Sequence, residues 1–390
     1  MWLVFDVFCI YYLFVWSFVS NAKITGVNRP TIGIIRWDAW NLINGHYDAI
    51  SYYSHRAMSP EHFHYRLPFF AKINSDTNVT INGDSQEIID QEILYANFAG
   101  FDYWAFDTYC SFGPNCTTNS SYCVQYYKQT SNQYCPENPV YGLNRYLSSQ
   151  YVSLINFTFV LLGSSPCDDK FQESYIEFMI HPQFQTVLDG RPLLYLFQFG
   201  DEEAQLCGGG WQGSERIFNN FRQKVMSRGL KNPYMVLMDA DITRCKTNAA
   251  AIGFDAISSY GIGGGGTIQG SPFNDEVQRS EQWWNSAIQS GAKVVITLPT
   301  GWDPRPRYEH PVPWVDQGPE HFLQPTADEL QNFFKSSIQL TCVNKNITEA
   351  QTVIVYAWNE CSENGASLIP TIGNGTYYIR ALSEILPMSC

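Results

Sequence analysis

The chain has 390 residues, 45% of them hydrophobic and 15% aromatic, with 37 acidic against 24 basic side chains and a formal net charge of −13. That balance excludes a nucleic-acid binder, because a phosphate backbone must be met with Lys and Arg. The length suffices for one large domain or two, but no Pro/Ser linker or charged tract divides it.

Residues 2–19 form an almost unbroken apolar run, and the small residues Ser20 and Ala22 after it suit a signal-peptidase site. The expectation is a leader over 1–22 and a mature chain starting near Lys23, secreted or resident in the secretory pathway. A retained type II anchor competes, since the run is barely long enough to span a bilayer. No later segment is apolar enough to cross a membrane, so the mature form is expected to be free of one. Of eleven cysteines the leader removes Cys9, leaving ten, an even number. Cys110, Cys116, Cys123 and Cys135 crowd one polar stretch, and no C-x-x-C pair is present, so disulfides in an oxidising compartment are expected rather than zinc. Sequons at Asn78, Asn115, Asn119, Asn156, Asn346 and Asn374 agree with that compartment.

Strands are predicted over 31–37, 101–109, 151–161, 193–199, 234–239, 254–260, 293–300 and 352–358, several as near-continuous apolar runs. Such runs suit parallel strands covered by helices. Helical signals lie between them. A capping box using Asp84 and Glu87 opens a helix that keeps its spacing through Ile89, Ile93 and Ala96 to a stop at Gly100. Further helices are predicted over 213–228, 275–290 and 327–340. Eight strands alternating with helices predict a single α/β domain over 23–390, a (β/α)8 TIM-type barrel. A doubly wound open sheet is the runner-up. Residues 110–139 read as a Cys-rich insertion after the second strand, dependent on disulfides and on packing across the barrel mouth. The Gly-x-Gly-x-x-Gly and Gly-Lys-Ser/Thr phosphate motifs are absent, and His62 and His64 lack a third ligand, so no cofactor and no metal is expected.

Catalytic residues of such barrels come from the C-terminal strand ends. Those ends collect Trp37 and Asp38, Trp104, Asp107 and Tyr109, Tyr260, then Trp302, Asp303, Arg305 and Arg307, and finally Trp358, Asn359 and Glu360. Aromatic faces beside planar hydrogen-bonding groups are what a carbohydrate cleft requires. Glu363 follows Glu360 by three residues. A paired acid and base is what glycosidic cleavage needs, one carboxyl protonating the departing oxygen and the other assisting attack. Each residue also has a structural reading. The two acids could share nothing but a solvated loop, a Trp at a strand end is often core, Asp239 and Asp241 could cap a helix, and Arg305 and Arg307 could pin a loop.

Trp358-Asn359-Glu360-(x2)-Glu363 with the later Pro370 resembles the strand-eight motif of the glycoside hydrolase family 71/99-type barrels, of which endo-α-mannosidase is the best-known member. The segments 90–92 with 99–106, 181–182 with 189–194, and 301–307 resemble other parts of those barrels in the same order. The resemblance implies a retaining enzyme acting on an α-linked glycan without a covalent enzyme intermediate. In it Glu360 would be the base that assists the sugar's own 2-hydroxyl, and Glu363 the acid. Cys361 departs from the Trp usual in that family, and Glu363-Asn364-Gly365 carries an extra residue before glycine. The leading expectation is therefore a secreted glycoside hydrolase with a glycan substrate. The alternatives are a non-catalytic glycan-binding barrel and a glycan-modifying transferase. The sequence leaves the oligomeric state open.

Overall fold

The structure, a computed structural model, describes residues 29–40, 42–43, 46–47, 49–107, 141–387 and 389–390. The leader at 1–22, Tyr109, the Cys-rich insertion at 110–139 with its four cysteines, and the sequons Asn115 and Asn119 lie outside the described residues.

Eight parallel strands form the barrel: β1 Thr31–Trp37, β2 Tyr103–Asp107, β3 Asn156–Leu162, β4 Arg191–Phe197, β5 Tyr234–Met238, β6 Ala256–Ser258, β7 Ile296–Pro299 and β8 Thr352–Tyr356. β1 to β6 pair in sequence order, β7 pairs with β8, and β8 pairs with β1 through Thr31↔Thr352 to Ile34↔Val355. The circle closes between β6 and the residues leading into β7 by the parallel bridge Ile257↔Val294. This is the expected (β/α)8 barrel, and closure removes the doubly wound alternative.

Several predicted strands ran past the observed ladders at the C-terminal end: 193–199 stops at Phe197, 254–260 at Ser258 and 352–358 at Tyr356. The residues beyond leave the sheet. In front of β3, residues Val152–Leu154 make a 3-10 turn instead of extending the strand.

The helices include α1 Ala49–Met58, α2 Gln86–Ala99, α3 Tyr141–Leu147, α4 Asp169–Met179, α5 Asp201–Leu206, α6 Trp211–Ser227, α7 Ile242–Ala251, α8 Phe273–Gln289, α9 Arg305–Glu309 and α10 Ala327–Val343. The cap of α2 is Ser85 rather than Asp84: its side chain accepts from the Ile88 N–H. Asp84 instead pairs with Arg145 at 3.0 Å. Gly100 ends the helix in the left-handed region, φ 98°, where a Cβ would be unfavourable.

Two apolar layers hold the barrel. Alternate residues fill its interior, among them Ile35, Tyr103, Ala105, Val160, Tyr195, Val236, Ile354 and Tyr356. Gly33 makes room there, since a Cβ on it would lie 2.0 Å from the Tyr103 ring. The Tyr103 hydroxyl is satisfied by Tyr195 Oη at 2.8 Å and Thr352 Oγ1 at 2.9 Å. Residues of opposite parity, such as Ile34, Trp104, Phe106 and Val355, pack against the helices. A fully buried large apolar side chain contributes about 1.5–3 kcal/mol, so both layers are needed.

The expectation that all mature cysteines are paired does not hold. Cys167 bonds Cys207 and Cys342 bonds Cys390, but Cys245 and Cys361 are free and buried. The even count misled because a buried thiol behaves as a small apolar side chain. Cys245 sits under β5 and β6, its Sγ 3.3 Å from Leu237 O, and Cys361 belongs to the core behind the mouth. Alkylation without reductant is therefore expected to spare both thiols in the folded protein and label them after unfolding in urea. Mass spectrometry that finds neither Cys245 nor Cys361 alkylated after unfolding would overturn the assignment.

Of the described sequons, Asn78 and Asn346 are exposed, Asn374 is half-buried, and Asn156 lies in β3 with its amide donating to Gln185 Oε1 at 3.0 Å. No helix among the described residues is long and apolar enough to cross a membrane.

Candidate active site

The chain leaves β8 through a cis Tyr356–Ala357 peptide and turns at once. The N–H groups of Glu363 and Asn364 both donate to Glu360 O, at 3.1 and 2.8 Å. This single turn places Glu360 and Glu363 on the same side. Asn364 ties the turn to β7: its Nδ2 donates to Thr300 Oγ1 at 3.1 Å, and its Oδ1 accepts from Ala366 N at 2.8 Å.

Arg307 joins the two acids. One guanidinium nitrogen donates to Glu360 Oε1 at 3.0 Å, the other contacts Glu363 Oε2, and Nε donates to Ser362 Oγ at 3.0 Å. Its cationic plane lies 5.3 Å from the Trp37 ring and 5.9 Å from the Trp314 ring. All three charged side chains are less than a tenth exposed. Burial works against the charge, but the neighbouring Glu363 and Glu360 outweigh it and raise the guanidinium above its usual value. Of the two readings offered for Arg307, the structure makes it both a clamp on the loop and a member of the site.

The two carboxyls have different partners. Glu363 receives three donors: Arg307, the Tyr356 hydroxyl at 2.6 Å and Gln317 Nε2 at 2.7 Å. Three donors satisfy it as a hydrogen-bond acceptor. Glu360 receives Arg307, and its other oxygen faces Tyr260 Oη at 3.1 Å. That hydroxyl also donates to Asp107 Oδ2 at 2.7 Å. Burial first, then the neighbouring Glu363 charge, pushes the Glu360 carboxyl up to about 8, against the lowering effect of Arg307. Two like charges on one guanidinium repel, and the low effective dielectric of a buried site strengthens that repulsion. Full ionisation of both carboxyls is thereby opposed, and their titration belongs to the pair.

These carboxyls line a cavity of about 650 Å³. Trp37, Tyr260, Trp302 and Arg307 from the expected set line it too, and Asp107 reaches it through Tyr260. Trp302 packs against Gly263, where a Cβ would lie 2.5 Å from the indole. Tyr260 stacks on Phe197 at 4.4 Å and 12°.

The other expected residues stand elsewhere. Trp104 alternates with inward-facing Tyr103 and Ala105, so it points at the helices and packs on Tyr146 and Trp358. Trp358 also faces that layer, its Nε1 donating to Glu92 Oε2 at 2.8 Å. Asn359 bonds the Trp37 backbone twice, at 2.8 Å each, and thereby locks β1 to the turn. Asp38 accepts from Arg36 and from Gly142 N. Asp303 and Arg305 form a bidentate pair at 2.7 Å, and Asp303 also pairs with buried Arg66. These residues position the mouth rather than line it. Asp241 caps α7, while Asp239 lines the cavity in a bidentate pair with Arg244. His62 pairs with Glu309, and His64 bonds Ser59 O.

Sequence reasoning missed Tyr356, Gln317, Trp314 and Phe197. Tyr356 was findable, since it shares the inward parity of Ile354 on β8. Gln317 lies in an irregular segment that carries no sequence signal.

No protein-family model and no curated protein matches the sequence. Among solved structures, the fold is similar to the GH99 endo-α-mannosidase from Bacteroides thetaiotaomicron in complex with bis-tris-propane. The TM-score is 0.52 at 12% identity, over 92% of this chain and 97% of that one. A second structure of the GH99 endo-α-mannosidase from that organism matches with a TM-score of 0.52 at 13% identity, over 91% and 96%. At these identities the likeness is one of fold, and it extends across the barrel from end to end.

Proposed function

We propose that this protein is a secreted glycoside hydrolase that cleaves an α-linked glycan with retention, using Glu360 and Glu363 as its acid and base. The observation that carries this reading is the buried pair held on one guanidinium at the floor of an aromatic-walled cavity. A hydroxyl-rich ligand suits that wall, with Trp302 and Tyr260 offering flat faces and Asp239, Arg244 and Gln317 offering polar groups. The similar fold of an endo-α-mannosidase supports the reaction class.

The roles follow from the surroundings of each carboxyl. Glu360, which burial and Glu363 push up, carries the proton and donates it to the departing oxygen. Glu363, fixed by three donors, accepts the proton of the attacking hydroxyl. This is the reverse of the assignment that the family resemblance implies, in which Glu360 is the base. Arg307 keeps the pair together and shields their repulsion, and the dry floor strengthens each of these interactions.

The test is turnover by the purified ectodomain on a panel of α-linked oligosaccharides, read by product chromatography and by proton NMR of the released anomer. Release of the retained anomer from at least one glycan, abolished by the Glu360→Gln and Glu363→Gln pair, is the expected result. Binding that survives in the double variant with no turnover in the native protein would replace the hydrolase by a glycan-binding barrel. A requirement for an activated sugar donor would replace it by a transferase.

A further inference from the structure

A second cavity, of about 410 Å³, adjoins the catalytic one, and Ala240 and Gly263 line both. Its volume falls in the range typical of ligand sites, about 300–1,000 Å³. Arg279, Gln282, Trp283 and Ser286 of α8 line it, recurring at the spacing that puts them on one side of a helix. Two of them brace the ridge between the cavities. Trp283 Nε1 donates to Ala240 O at 2.8 Å, and the Arg279 guanidinium donates to Gly263 O at 2.9 Å. Trp302 packs on Gly263 as well, from the catalytic side.

The two cavities differ in character. Glu203, Asp239, Glu360 and Glu363 line the first, and its two guanidiniums, Arg244 and Arg307, are taken up by three of those acids. Among the described residues no carboxylate lines the second. Its polar side chains, Arg279, Gln282 and Ser286, are all exposed and offer an excess of donors. Arg279 spends one donor on Gly263 O and forms no ion pair among the described residues. Its neighbour one turn back, Glu276, is fully buried, and burial pushes that carboxyl up to about 8. Near neutral pH Glu276 therefore keeps its proton and leaves the guanidinium charge uncompensated. A sugar hydroxyl needs acceptors as well as donors, whereas a sulfate or carboxylate only accepts.

We infer that this second cavity is a subsite for an acidic substituent, a sulfate ester or a uronate carboxylate, on the glycan that enters the catalytic cavity. The inference rests on the reading of that cavity as a glycan site, and it narrows the substrate class. An anion is repelled by the acid-rich first cavity and drawn to the second, so the substituent fixes which way the chain lies across the ridge.

The test titrates three probes into the full chain by calorimetry: an α-linked mannotriose, the same trisaccharide with a terminal sulfate ester, and the same with a terminal uronate. Product chromatography of the same samples reads turnover. At least one acidic probe is expected to bind about tenfold tighter than the neutral one, the gain of a charge-assisted hydrogen bond. The tighter of the two names the substituent. Added salt should shrink the preference, and Arg279→Gln should bring the affinity ratio close to one. Gln282→Glu changes an exposed helical position and sets a like charge beside the guanidinium, so it is expected to cancel the preference even if Arg279→Gln does not fold. Equal affinity for neutral and acidic probes, including none for either, would overturn the subsite. So would a preference that survives both variants, or inorganic sulfate alone binding as tightly as the sulfated probe. A preference lost in both variants, in a protein that turns over no probe, would instead defeat the hydrolase reading alone.

Discussion

Replacing Glu360 by Gln is expected to slow cleavage of natural glycans by about 10²–10⁴-fold while leaving activated aryl glycosides such as dinitrophenyl derivatives close to the native rate. General acid catalysis contributes about that much when the leaving group is a poor one, and little when the leaving oxygen departs unaided. Replacing Glu363 by Gln is expected to slow both substrate types, because a base is needed whatever departs. The native profile should be bell-shaped. Its basic limb reports loss of the Glu360 proton, in the region of 8 to which burial and Glu363 push that carboxyl. The comparison of rates on the two substrate types is decisive. If Glu363→Gln shows the leaving-group dependence and Glu360→Gln does not, the roles are those implied by the family resemblance. Full activity in both variants removes the pair from catalysis altogether.

The second large effect belongs to Arg307. Its side chain is 2% exposed and bridges both acids, so Arg307→Met leaves buried carboxyls without their counter-charge. Loss of one partner from a buried ionic set costs about 3–5 kcal/mol at neutral pH. Activity is expected to fall with it, because the guanidinium also fixes the turn through Ser362. The pH dependence has a defined sign. Arg307 lowers the Glu360 carboxyl, so its removal lets burial raise that group further. A carboxyl raised in the folded state binds its proton more tightly there than in the unfolded chain. Its stabilising contribution is complete below the unfolded pKa and is lost as pH rises through the folded one. The deficit of Arg307→Met in urea denaturation should therefore be small near pH 4 and grow towards about pH 8. A deficit that stays constant with pH would mean that the guanidinium contributes packing on Trp37 and Trp314 rather than charge.

The contrast between Trp104 and Trp302 shows what a strand pattern carries and what it lacks. Both were expected in the cleft from their position at strand ends. Trp302 is there because its strand has already ended and the loop is free to aim it. Trp104 is still in β2, where alternation is rigid, and Tyr103 already fills the inward position. Parity counted from Tyr103 would have sent Trp104 outward and kept Asp107 inward. The information was in the sequence but needed an anchor residue whose direction was known.

Cysteine pairing failed for a different reason. Parity of a count says nothing about where each thiol ends up, and both free cysteines are buried. Arg305 and Arg307 make the same point for charge. Two residues apart in one Pro-rich segment, one closes on Asp303 at the rim and the other reaches the floor.

The sequence by itself determined the alternation of strands and helices, the Gly100 stop of α2, and the delivery of two acids three residues apart at the last strand end. These follow from apolar periodicity, local capping and chain spacing, all of which act over a few residues. Only the tertiary structure decided which partners each carboxyl meets, that Arg307 joins them, and that Tyr260 and Asp107 stand beside Glu360. Those outcomes depend on groups separated by 100 and 153 residues that meet only when the barrel closes. Burial and Coulomb coupling arise from that closure, and no local pattern encodes them.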